Sequence, residues 1–182
     1  MITSTLVARS PRTRVLGIVV AAGALALASQ FALPLRGTPV PLTLQPLVVV
    51  LSGLVLGPVD AAAAMIVYIV AGLTGLPVFA PIGAPGLARL LGPTGGYILA
   101  YPVAAAVAGR LGAGQPSFAT RALAAMAGIL VLYLGGLTQL AVLSGSLAWA
   151  AVVGVLPFVA ADAVKALVAA AVTTQRRRST TD

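Results

Sequence analysis

The 182-residue sequence contains no cysteine, no histidine and no glutamate. Missing cysteine and histidine remove Cys/His zinc sites, thiol nucleophiles, disulfides and the usual imidazole acid–base group together. They also leave the redox compartment unreadable from cysteine usage. The single lysine, Lys165, follows Phe-Val-Ala-Ala-Asp-Ala-Val rather than a glycine-rich loop. No phosphate-binding loop of the Walker type exists, and the chain is not expected to hydrolyse ATP by itself. Charge is scarce too: 11 basic and 3 acidic residues make up only 8% of the chain, where a soluble domain carries about a quarter. What is abundant is apolar, 60% of all residues, so the solvent for most of this surface is lipid. The net charge of +8 does not indicate a nucleic-acid partner, because the arginines sit at the chain ends or among apolar runs, without a basic face or interleaved aromatics.

A bilayer core about 30 Å thick needs roughly 20 apolar residues per helix. Six runs approach this, at about 15–33, 44–56, 61–76, 94–108, 121–143 and 157–174, with a polar tail at 179–182. The expected fold is therefore an all-α integral membrane protein of six transmembrane helices, one membrane domain over 1–182. With both termini cytoplasmic, Arg9, Arg12, Arg14, Arg110, Arg121 and Arg176 to Arg178 lie inside, against Arg36 and Arg89 outside, a strong positive-inside bias. The first run also has the look of a secretory signal, with Ala26-Leu27-Ala28-Ser29 as a small-residue cleavage site. Its continuation through Phe31 to Leu35 favours retention. Asp60 is placed to cap the third helix, and Leu147 to Val155 reads as a re-entrant or interfacial piece with Trp149 in the headgroup zone.

Four features remain as candidate sites. Asp162 and Lys165 lie three apart in the sixth run, on one helix face, where each ionisable group costs roughly 2.5 to 3.5 kcal/mol on insertion. They are either a structural ion pair or a polar site open to a cavity. A carboxylate that accepts N–H donors beside an ammonium that donates to a carbonyl suits a urea or amide edge. Gly92-Pro93-Thr94-Gly95-Gly96-Tyr97 begins a helix, whose free N–H groups and positive dipole end can face an anion; tight helix packing explains the glycines equally well. Phe79 and Arg89 belong to the preceding outer loop. Between the first two runs, Pro39 and Pro41 stiffen a loop that carries Thr43 and Gln45 as neutral hydrogen-bonding groups, either a lid or a plain connector. Ala24, Ala28 and Ala32 form an i, i+4, i+8 stripe that serves packing inside the bundle or docking onto a second membrane protein.

Taken in order, Thr38-Pro39-Val40-Pro41-Leu42-Thr43-Leu44-Gln45, Gly75-Leu76-Pro77-Val78-Phe79-Ala80, Gly92 to Tyr97, and Pro157-Phe158 with Asp162 and Lys165 resemble the BioY family, the substrate-binding S components of energy-coupling factor (ECF) biotin transporters. The resemblance covers about residues 38 to 170. It implies a multi-pass protein of a prokaryotic plasma membrane that binds biotin from outside with high affinity and performs no chemistry on it. No cofactor is implied, since biotin is cargo. The implied partners are a membrane coupling subunit and two ATPase subunits, docked through small residues such as Ala24, Ala28 and Ala32, or a homo-oligomer if the protein is solitary. By the same resemblance Asp162 and Lys165 contact the polar end of biotin; on chemical grounds Asp162, an acceptor, meets the ureido N–H groups and Lys165, a donor, the ureido oxygen or a water beside it. Arg89, or the helix end near Gly95, takes the valerate carboxylate, Tyr97 or Phe79 packs on the bicyclic ring, and the first outer loop closes as a lid; the reversed ligand is the alternative. A different class, a self-sufficient small channel or proton-coupled carrier, would use Asp162 as a proton site.

Overall fold

The computed structural model describes residues 10–178, with side chains as far as Gln175. Arg9, Asp182 and the 179–182 tail lie outside the described residues, as do the side chains of Arg176 to Arg178. Helix α1 (Pro11–Gln30) starts four residues before the apolar run because Ser10 accepts from the Thr13 amide and proline occupies the first turn, where a missing N–H costs nothing. It stops short of Leu33 because β1 (Ala32–Leu33) pairs antiparallel with β2 (Leu42–Thr43). Then come α2 (Gln45–Leu56), α3 (Pro58–Leu73), α4 (Leu87–Leu91), α5 (Gly95–Gly112), α6 (Phe118–Ser144), α7 (Leu147–Gly154) and α8 (Val159–Arg178).

Several boundaries differ from the hydropathy reading for local reasons. Pro58 starts α3 three residues early, behind Gly57 in a left-handed conformation. Helix α5 continues past Arg110 to Gly112, since a charge ends an apolar run without ending a helix. The α4 turn was not anticipated, and α7 is followed by α8 at a bend of 55°. Among the described residues, α1 and α6 are long and apolar enough to cross a membrane, and the bent α7–α8 pair makes a third such segment; α2 and α3 are apolar but shorter.

Asp60 does not cap α3. It lies in the first turn, but its carboxylate accepts from Arg14 of α1, at 2.6 Å from Nη2 and at 3.1 and 3.2 Å from Nε. An arginine offers a two-pronged charged donor that outcompetes a local amide, so the residue ties two helices together instead of finishing one.

Helix α5 is central, packed on α6, α3 and α2, while α1 lies on α3 and α8 on α6 and α2. The buried positions are dominated by small residues, including Ala61, Ala64, Ala104, Ala105, Ala108, Ala125, Ala166 and Ala169, while Val15, Leu16, Leu123, Leu134, Val142 and Val164 stand outside. Small residues inside and large aliphatic ones outside reverse the soluble pattern and match helices that approach closely in lipid. The closest approach is between α5 and α6: a Cβ on Gly96 would lie 2.1 Å from the Gly135 carbonyl oxygen, and one on Gly135 2.4 Å from that of Gly96. Tight packing is therefore what these α5 glycines serve. Gly95 itself abuts the Leu90 backbone, and its N–H donates to the Gly92 carbonyl at 3.0 Å.

The alanine stripe of α1 is also corrected. Ala32 lies beyond the helix in β1, and Ala28 is buried within the chain. With Ala24 half-buried, the three do not form one exposed helical strip.

A candidate ligand cavity between the helix ends

One cavity gathers the chemistry-bearing residues. The segment 40–43 and Gln45 form one wall; Arg89 of α4 and Thr94 before α5 form another; Tyr97, Ile98 and Tyr101 come from α5, Leu132 and Tyr133 from α6, and Phe158, Asp162 and Lys165 from the start of α8. The space between these walls, counted with the open mouth, is about 650 Å³.

Asp162 and Lys165 are both buried and are ion-paired, Lys165 Nζ donating to Asp162 Oδ1 at 2.6 Å. Tyr133 donates to the other oxygen, Oδ2, at 2.8 Å. The residues form an internal ion pair, and that pair lines the cavity. An ammonium has three N–H donors and a carboxylate about four acceptor positions. After these two bonds the pair still offers donors and acceptors side by side.

Arg89 is buried, 6% exposed, and its guanidinium is wrapped by the preceding loop. Nη1 donates to the Ile82 carbonyl and Nη2 to that of Ala80, each at 2.5 Å. The loop turns tightly enough because Gly83 has φ +102°, and a Cβ there would come within 2.9 Å of Nη1. Burial draws the Arg89 pKa down, yet a guanidinium stays charged at neutral pH. Its Nε–H is buried and has no hydrogen-bond partner among the described residues.

Gln45 is held at the cavity wall by donating from Nε2 to the Tyr68 hydroxyl at 2.8 Å, and Thr43 Oγ1 donates to Gln45 Oε1 at 3.3 Å. Tyr97 lines the cavity and donates to the Gly154 carbonyl at 2.5 Å, which fixes its ring beside the α7–α8 bend. Phe79 is not brought to the cavity. Its ring is seated over Gly72 and meets Tyr68 edge-on, with centroids 5.4 Å apart, so it backs the wall from behind. Loop 36–45 covers the site: Thr38 Oγ1 donates to the Val153 carbonyl at 2.7 Å, and Val40 packs among Leu140, Ala150, Val153 and Phe158.

Residue-by-residue reading did not single out Tyr68, Tyr101 or Tyr133. Their signal is rarity, since the chain has only four tyrosines. Three of them line this cavity and the fourth supports Gln45.

Apolar helices with large side chains outside, around a mainly apolar pocket that gathers a few buried charged groups near their ends, describe a helical membrane protein. The BioY family profile matches residues 4–182, and the chain belongs to the BioY family. It is 47% identical over 131 residues to the probable biotin transporter BioY of Pyrococcus horikoshii, covering 72% of this chain and 76% of that one. Over 132 residues it is 39% identical to the biotin transporter BioY of Thermotoga maritima, covering 72% and 78%. In structure it resembles the crystallised S-component for biotin from an ECF-type ABC transporter, with a TM-score of 0.82 over 94% of this chain and 95% of the other at 21% identity. At that identity the likeness establishes a shared fold.

Proposed function

We propose that this protein is the biotin-binding membrane subunit of a vitamin uptake transporter, taking biotin from outside and leaving ATP hydrolysis to partner subunits. The observation that carries this reading is the charge set of the cavity. Its walls hold two cations, Arg89 and Lys165, and one anion, Asp162, a residual single positive charge that complements a monocarboxylate. The Asp162–Lys165 pair matches a ureido group, with N–H groups directed to the carboxylate and the oxygen to the ammonium. Arg89, a charged donor at the cavity wall, takes the valerate carboxylate. Tyr97, with Tyr101 and Phe158, supplies the faces against the bicyclic ring, and Gln45 and Thr43 edge the entrance. No bond in biotin is made or broken.

The remaining parts of the reading follow from this role. Six membrane-crossing segments in one domain place both termini in the cytoplasm of a prokaryotic cell, with the cavity facing outward. Some segments are short for a bilayer, which local thinning and tilt accommodate. A coupling subunit and two ATPases supply the energy, consistent with the missing phosphate-binding loop. Copurification of such subunits, with biotin uptake that requires them, is the expected result. Uptake by the protein reconstituted alone, driven by pH or potential, would instead identify a carrier with Asp162 as proton site.

Loop 36–45 acts as the lid. Thr38→Val removes the hydrogen bond to α7 and the one its hydroxyl accepts from the Val40 amide; at about 1 kcal/mol for the bond that ties the loop to α7, biotin dissociation should speed about 5-fold or more in a stopped-flow chase.

A further inference from the structure

We propose that Ser29 and Gln30, at the C-terminal end of α1, are positioning residues for Arg89 and set how strongly the cavity selects a carboxylate on its ligand. The inference rests on the reading that Arg89 receives that carboxylate. Neither residue lines the cavity, but both hold the chain segment that does the holding. Ser29 is fully buried, and its hydroxyl lies 2.6 Å from the Val78 carbonyl and 2.7 Å from that of Ala26, with one proton to share between them. Gln30 Nε2 donates to Ser29 Oγ at 2.8 Å and reaches the Phe79 carbonyl at 3.2 Å and that of Pro77 at 3.4 Å. Three successive carbonyls, of Pro77, Val78 and Phe79, are thus turned onto the end of α1.

The carbonyls just beyond them, of Ala80 and Ile82, are those that accept from the Arg89 guanidinium. No helix or strand spans 74–86, so ladder bonds do not fix this run of backbone. Its place is set by the α1 clamp on one side, by the Phe79 ring over Gly72 on the other, and at its start by turn bonds such as Leu76 N–H to the Ala71 carbonyl and Val78 N–H to that of Leu76. Ser29 and Gln30 therefore act on Arg89 through two short links: side chain to carbonyl, then carbonyl to guanidinium. Loosening the first link frees the second, and the guanidinium at the cavity wall loses its fixed place.

A purely structural role weakens all ligands alike; a role through Arg89 weakens only ligands that bear the carboxylate. Dissociation constants for biotin and for biotin methyl ester should be measured on the purified full chain in detergent, for wild type, Ser29→Ala, Gln30→Ala, Arg89→Ala and Ser29→Ala/Arg89→Ala. Losing one oriented hydrogen bond corresponds to about 5- to 10-fold, so Ser29→Ala and Gln30→Ala should weaken biotin by that factor and the ester by less than about 2-fold. Arg89→Ala should weaken biotin by roughly 30-fold or more, as for a lost buried charged contact, with little effect on the ester. Adding Ser29→Ala to Arg89→Ala should then change nothing further. Equal losses for both ligands in the α1 variants, no loss in either, or full additivity in the double variant overturns the positioning role while leaving Arg89 as the carboxylate contact. Arg89→Ala that treats biotin and its ester alike overturns the carboxylate reading itself, and the inference with it.

Discussion

Asp162→Asn and Lys165→Ala should each abolish high-affinity biotin binding while the protein stays folded. The two residues are buried, joined at 2.6 Å and exposed to the ligand cavity. Truncating one partner of a buried, hydrogen-bonded charge pair costs 2–5 kcal/mol or more, so the dissociation constant should rise roughly 30-fold to several thousand-fold. The two variants fail differently. Asparagine at 162 presents an N–H₂ group where one carboxylate oxygen stood and leaves the Lys165 ammonium without a counter-ion. Alanine at 165 leaves the carboxylate held by Tyr133 alone and removes the donor for a ureido oxygen. Tyr133→Phe, which removes only the supporting hydroxyl, should cost about 5-fold. Unchanged retention on a size-exclusion column and an unchanged helical circular dichroism spectrum separate a lost site from a lost fold. Normal binding in both charge variants would remove the site from this end of α8.

Gly135→Val is expected to do the largest damage to the fold. The α5–α6 crossing brings Gly96 and Gly135 backbone to backbone, with a Cβ on Gly135 only 2.4 Å from the Gly96 oxygen and 2.7 Å from the Ala100 Cβ. A flexible side chain could move aside, but a helix backbone cannot, so the two helices must part. Overpacking of a well-filled core costs about 1–3 kcal/mol, and a backbone collision belongs at the upper end or beyond. At about 3 kcal/mol the melting temperature in detergent should fall by roughly 6–12 °C for a chain of this length. Biotin binding falls with it, because α5 carries Tyr97 and Tyr101 while α6 carries Tyr133. Gly23→Ala is the control: a Cβ there meets nothing within 4 Å, and its melting temperature should match wild type or rise slightly. Equal melting temperatures for Gly135→Val and Gly23→Ala would show that the crossing is looser than described.

The ion pair of the site was legible because lipid makes charge conspicuous: in a chain this poor in charges, Asp162 and Lys165 at helical spacing have few competing explanations. Asp60 shows where that logic stops. Its position before an apolar run fits a cap, but its partner Arg14 lies 46 residues away, and only the packing of α1 on α3 brings them together. Helix ends were misplaced for a related reason. Hydropathy records where the chain meets lipid, whereas Ser10-Pro11 and Gly57-Pro58 start helices by satisfying or omitting backbone donors. Ala32 fits an alanine stripe only if the helix continues, and the β1–β2 pairing ends it first. Arg89 and Phe79 came from the same loop with the same apparent promise, yet one reaches the cavity and the other backs Tyr68. That division depends on how an irregular loop folds over α3, and no periodicity in the loop encodes it. Tyr133 escaped notice because a lone tyrosine in an apolar run carries no pattern until its hydroxyl is seen beside Asp162.

The central claim is that this cavity is a biotin site complete within one chain. The direct measurement is equilibrium binding of labelled biotin to the purified protein in detergent, without partner subunits and without ATP. Saturable binding at one biotin per chain, displaced by unlabelled biotin and lost in Asp162→Asn, is the predicted result. A folded protein that shows no saturable biotin binding, or binds it undiminished in Asp162→Asn, would contradict the account.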